Sequence, residues 1–169
     1  GLGKTYGYLL PALNMESEGG ILVSVPTKIL QNQIMQEEGR RLKDTFHIEI
    51  HSLKGPQNYL KLDNFYKVLH RAESNRLFTR FKMQVLIWLT ETETGDLDEI
   101  GQLYRYQHFL AELVHDGKLS KKSLFISEDF WQRSQDRAKS SRLLLTNHAY
   151  LVTRLEDDPE FVNNRLLII

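Results

Sequence analysis

Gly1-Leu2-Gly3-Lys4-Thr5 opens the chain, and its last three residues fill the final places of the phosphate-binding pattern G-x-x-x-x-G-K-[ST]. The chemistry explains the residue types. Glycines let backbone N–H groups close around phosphate oxygens, the lysine reaches the outer phosphates, and the hydroxyl holds Mg²⁺. The first position of the pattern and the strand that leads into it fall before Gly1, so the chain is expected to be a fragment that starts inside a motif.

Working outward, Tyr6 to Leu10 is compatible with a helix closed by Pro11, and Asn14 to Gly20 is rich in turn residues. Ile21-Leu22-Val23-Ser24-Val25 is then a short apolar run between Gly20 and Pro26, the pattern of a strand buried on both faces of a parallel sheet. Loop, helix, strand is the order of a nucleotide-binding α/β core. Pro26 stops the strand, Thr27 is placed to cap the next helix, and Ile29, Leu30, Gln33 and Ile34 recur at helical spacing up to Glu38. Thr27 and Lys28 at the carboxyl end of a strand suit an anion-binding corner. They suit an ordinary cap beside a solvated lysine equally well.

His47 to Leu53 alternates as a strand, with Ile48 and Ile50 on one face. His47 and His51 stand about 13 Å apart along such a strand, too far to share one ion. Lys54 to Leu60 interrupts the pattern with a turn that offers a lysine, amides at Gln57 and Asn58, and Tyr59. That set is equipped for single-strand binding, and it also fits a solvated turn with a half-buried tyrosine. From Lys61 the periodicity is helical. Leu62, Phe65, Tyr66 and Leu69 form one stripe; Leu77, Phe78, Phe81, Val85, Trp88 and Leu89 a second; Leu97, Ile100, Leu103, Leu110 and Val114 a third.

Asp96 and Glu99 read as a capping box rather than a cation loop, and Ser127 as the cap of a helix carrying Phe130, Trp131 and Ala138. Basic residues sit on these helices at Lys67, Arg71, Arg76, Arg80 and Lys82, and again at Lys118, Lys121 and Lys122. They form either a solvated face or a track for a nucleic-acid strand. Leu143-Leu144-Leu145-Thr146 predicts a third buried strand, ending at Asn147-His148 before a helix from Ala149 to Leu155. Arg165 to Ile169 begins a fourth.

Composition bounds the function. The 169 residues carry 41% hydrophobic and 26% charged side chains, and formal net charge is zero. Binding to nucleic acid therefore has to rest on local basic patches, with no global field to steer it. The chain contains no cysteine, which removes disulfides, thiolate metal sites, iron–sulfur clusters and cysteine nucleophiles. No run approaches the roughly 18 apolar residues of a membrane span. The expected setting is cytoplasmic.

In order, Gly1 to Thr5 with Tyr8-Leu9-Leu10-Pro11, Val25-Pro26-Thr27-Lys28 with Leu30-Gln31, Leu53-Lys54-Gly55 with Asn58-Tyr59-Leu60, Trp88-Leu89 with Thr94-Gly95-Asp96, and Thr146-Asn147-His148-Ala149 resemble the DinG family of superfamily 2 DNA helicases, relatives of the XPD helicases. The resemblance implies an α/β fold: a partial RecA-like P-loop NTPase motor domain, residues 1–60 and 141–169, with a mostly helical insertion at 61–140. It implies an ATP-dependent helicase or translocase moving 5′ to 3′ on single-stranded or forked DNA in repair or replication. The alternative is an accessory module whose ATP-binding motor regulates a fused nuclease and unwinds little. A kinase or transporter ATPase leaves the helical insertion without a role.

By that resemblance, Gly1, Leu2, Gly3, Lys4 and Thr5 hold ATP, with Lys4 on the β/γ-phosphates and Thr5 on Mg²⁺. Thr27, Lys28, Lys54, Asn58, Tyr59, Asn147 and His148 line the DNA path. Better-known members place the first cysteine of an iron–sulfur cluster directly after the Asn-Tyr-Leu segment, where this chain has Lys61, so no cluster is expected. No ATP turnover is expected of these 169 residues alone, because the acidic Mg²⁺ motif and the second motor domain are not among them.

Overall fold

The computed structural model describes every residue except Gly1, Glu16, Ser17, Glu73, Ser74 and Gln102, and describes only the backbone of Leu2, Gly3, Lys4, Leu103 and Tyr104. The chain divides into two compact units, residues 1–54 with 136–169, and residues 55–135.

The first unit is built on four parallel strands in the order β2-β3-β1-β4: β1 Ile21–Val25, β2 Ile50–Ser52, β3 Leu143–Asn147 and β4 Leu166–Ile168. Strands β1 and β3 run in register from Ile21 opposite Leu143 to Val25 opposite Asn147, and every residue of both is buried. Alternation along the pleat sends their side chains to opposite faces. Ile21, Val23, Val25, Leu143 and Leu145 meet Leu9 and Ala12 of helix α1 (Leu2–Leu13), Ile34 of α2 (Lys28–Ile34) and Leu42 of α3 (Arg40–Phe46). Leu22 and Leu144 point the other way, toward Leu53, Ala138 and Leu151 of α8 (His148–Asp157). Each leucine buried in this way contributes about 2 kcal/mol. Gly20 turns the chain into β1 at φ +82°, where a Cβ would meet the carbonyl oxygen of Arg142 at 2.5 Å.

Several local expectations are corrected. Helix α1 passes through Pro11 and ends at Leu13; the proline lies in the last turn, so only one hydrogen bond near the end is forfeited. Helices α2 and α3 are joined by a π-helical turn at Met35–Gly39. Ile29 is 80% exposed rather than part of the buried stripe. His47 adopts the left-handed conformation and caps α3, which delays β2 until Ile50.

The second unit packs α4 (Leu62–His70), α5 (Arg76–Leu89), the short α6 (Gln107–Leu110) and the start of α7 (Phe130–Ser140) around Tyr59, Leu60, Phe65, Val68, Phe78, Phe81, Val85, Trp88, Leu97, Ile100, Leu113 and Phe130. Val68 takes the buried place expected of Tyr66, which is 44% exposed. The third stripe is no single helix: Leu97–Glu99 and Leu103–Tyr106 are 3₁₀ turns. Asp96 does cap the first of these through Asp98 N–H, but the Glu99 carboxylate accepts from Trp88 Nε1 and the hydroxyls of Thr92 and Thr94 instead of closing a box. Asp129, not Ser127, caps α7, accepting from Gln132 N–H at 2.8 Å.

Two side-chain contacts fasten the segment after α6. Lys61 Nζ donates to Asp116 and to the carbonyl of Lys118. His115, 1% exposed, receives Gly117 N–H on Nδ1 at 2.9 Å, so its proton sits on Nε2 and points to Asp129 at 3.0 Å. Burial raises the Asp129 pKa, yet the hydrogen bonds from His115 and Gln132 outweigh it and hold the carboxyl below its usual range.

The Lys61 hydrogen bond lowers Asp116 to about 2. A carboxyl whose folded pKa is depressed adds stability above about 4 and loses it as pH falls toward 2. Because Asp116 is half exposed, the effect is under about 1 kcal/mol. Urea midpoints at pH 5 and pH 2.5 should therefore differ by slightly less in Asp116→Asn than in the parent chain.

Candidate functional site

At the amino end of α1, Gly3, Lys4 and Thr5 lie in the first turn of a 12-residue helix. The leading N–H groups of a helix have no intrahelical partner, and its dipole favours an anion there. No acidic side chain lies in that turn to compete. The residues thus fit a nucleotide phosphate: the helix N-terminus and Lys4 would bind it and the Thr5 hydroxyl would help hold Mg²⁺, which when bound supplies charge neutralisation to the phosphates. Gly1, the first of the expected loop residues, lies outside the described residues. For Leu2, Gly3 and Lys4, only the backbone bears on the fit.

The carboxyl ends of β1, β2 and β3 form a second polar corner. Thr27 Oγ1 accepts from Leu30 N–H at 3.1 Å and caps α2, while Thr27, Lys28 and Ile29 remain exposed. Asn147 caps α8 by accepting from Tyr150 N–H at 3.0 Å, and its Nδ2 donates to Gln31 Oε1 at 3.1 Å. His148 Nδ1 lies 2.7 Å from the hydroxyl of Ser24. With that hydroxyl donating, the half-buried imidazole keeps a proton on Nε2.

The remaining expected DNA residues are less exposed than their types suggested. Lys54 is 1% exposed. Asn58 is buried and its Nδ2 donates to Gly55 O, closing the turn. Tyr59 is 2% exposed, sits in the core of the second unit, and shares a hydrogen bond with Ser134 Oγ at 2.8 Å. A ring enclosed on both faces has none left for a base, so the half-buried stacking tyrosine is corrected to a core residue. Sequence reading assigned no role to Ser24 or Gln31. Their signal was a polar residue inside an apolar strand and a glutamine on the buried side of a helix.

Of the basic residues, Lys82 is buried and donates to the carbonyls of Val68 and Arg71, finishing α4. Arg71 pairs with Glu112 at 2.7 Å. Lys67, Arg76, Arg80, Lys118, Lys121 and Lys122 stay exposed. Among the described residues, no group of three His, Cys, Asp or Glu could hold a metal ion, and no helix is long and apolar enough to cross a membrane.

A parallel sheet covered by helices on both faces, with Gly-Lys-Thr on the first turn of its leading helix, defines an α/β domain of the P-loop nucleotide-binding class. The chain belongs to the DEAD/DEAH box helicase family, whose model matches residues 1–101. It is DinG-like: it is 35% identical over 160 residues to the 3′-5′ exonuclease DinG of Bacillus subtilis (strain 168), covering 90% of this chain and 17% of that protein. It is 30% identical over 166 residues to the 3′-5′ exonuclease DinG of Staphylococcus saprophyticus, covering 94% and 18%, and 27% identical over 156 residues to that of Staphylococcus aureus (strain USA300), covering 90% and 17%. The chain spans less than a fifth of the length of these relatives.

Proposed function

We propose that the protein carrying this chain couples ATP hydrolysis to movement along single-stranded or forked DNA, translocating 5′ to 3′ and separating duplex strands in DNA repair or replication, as a cytoplasmic enzyme. The observation that carries the reading is the pairing of a Gly-Lys-Thr helix start with an exposed Thr27-Lys28 corner and a half-buried His148 at the carboxyl ends of one sheet. Lys4 and Thr5 bind the phosphates and Mg²⁺. Lys28 and His148 meet DNA phosphates, Thr27 N-caps the helix that presents Lys28, and Ile29 offers an apolar surface to a base. Asn147 acts from beneath, capping α8 and bonding Gln31 rather than touching the strand.

Lys28→Ala should weaken single-strand binding and shallow the slope of log affinity against log salt by about 0.7, the share of one phosphate contact. A fluorescence-anisotropy titration at several salt concentrations reads both; an unchanged slope removes Lys28 from the path.

The name of the relatives favours a second reading, in which the motor serves a 3′-5′ exonuclease and unwinds little. Strand displacement on a forked duplex separates the two. Unwinding by the intact protein that exceeds that of its Lys4→Ala variant supports the helicase, and unwinding that never exceeds it supports the accessory motor.

A further inference from the structure

We infer that Gln31 is a positioning residue that sets the two halves of the strand-end corner as one piece, so that Lys28 and His148 are presented to DNA together. The inference rests on the DNA-path reading above. Gln31 lies one turn into α2 and is wholly buried. Its Nε2 donates to Ser52 Oγ at 2.9 Å, to Leu53 O at 3.0 Å and to Leu145 O at 3.1 Å, while its Oε1 accepts from Asn147 at 3.1 Å.

One amide thus ties the helix that carries Lys28 to the end of β2, to β3, and to the cap of α8, whose first residue is His148. Two N–H groups serve three acceptors and the oxygen accepts from Asn147, so a flipped amide would set its oxygen against carbonyls and only one orientation is satisfied. A buried, fully paired network of this kind specifies one arrangement, and losing one member leaves the rest unpaired. Leucine or methionine would fill the space and keep the helix while releasing the link.

The test measures affinity of the intact protein for an oligo-dT strand. Gln31→Met should weaken binding by about tenfold, within the usual range of coupling between networked residues. In that background Lys28→Ala should cost less than it does in the parent, because the lysine is no longer held in place. Leu42→Ala, a core change on α3 outside the network, serves as the stability control and should leave affinity within about twofold. Gln31→Leu, which also fills the space without the amide, stands in should Gln31→Met not fold.

Binding by the Gln31 variant within twofold of the parent, while Lys28→Ala and His148→Ala weaken it, overturns the positioning role alone. A loss equal to that of Leu42→Ala overturns it too, since instability then explains the effect. If Lys28→Ala and His148→Ala bind as the parent does, the DNA-path reading fails, and the inference fails with it.

Discussion

Replacing Lys4 by alanine should lower ATP hydrolysis by the intact protein at least about 100-fold, the scale on which enzymes lose rate when one preorganised group facing the transition state is removed. The expectation follows from the position of Gly3-Lys4-Thr5 on the first turn of α1. Helix N–H groups and the dipole remain in the variant, so nucleotide is still attracted, but the outer phosphates lose their only lysine in that turn. Steady-state turnover at saturating ATP and Mg²⁺ is the measurement. A variant that turns over within a few fold of the parent would detach this motif from hydrolysis.

Gly95→Ala should cost about 3 kcal/mol or more, enough to unfold a marginal unit. Two effects add. Gly95 has φ +68°, where a side chain costs about 1–2 kcal/mol, and a Cβ there would overlap the Phe130 ring, itself part of the core. Overpacking of that kind costs about 1–3 kcal/mol. Backbone position is at stake as well, since Gly95 O accepts the N–H of Leu60 at 3.0 Å. Urea denaturation followed by tryptophan fluorescence reads the change, because Trp88 and Trp131 both lie in this unit. An unchanged midpoint would mean that the turn does not pack on Phe130.

Much of the sheet was legible. Ile21 to Val25 and Leu143 to Thr146 are continuous apolar runs between turn residues, and both became strands buried on two faces. Strand β2 was harder, because alternation at 47–53 does not say where the strand begins: His47 is taken up in capping α3, and pairing with β3 from a distant part of the chain selects Ile50 to Ser52. The third apolar stripe failed for a related reason. Helical spacing survives in Leu97, Ile100 and Leu110, but Gly95 and Gly101 flank a tight 3₁₀ turn that Asp96 caps.

In the candidate site, residue type revealed chemistry but not burial. Thr27 was legible as a cap, and Lys28 as an exposed cation, from the end of a strand alone. Lys54 and Tyr59 looked like surface equipment because nothing local distinguishes a lysine or tyrosine that tertiary packing encloses. Gln31 and Ser24 are the converse. Each looks incidental in sequence, and each gains its meaning from a partner more than twenty positions away.

The central claim is that this P-loop domain is a DNA-coupled motor, and the direct measurement is ATP hydrolysis by the intact protein with and without single-stranded DNA. The account predicts strong stimulation by DNA that is lost in Lys4→Ala and reduced in Lys28→Ala. Hydrolysis indifferent to DNA would contradict it and leave the corner of Lys28 and His148 without a ligand.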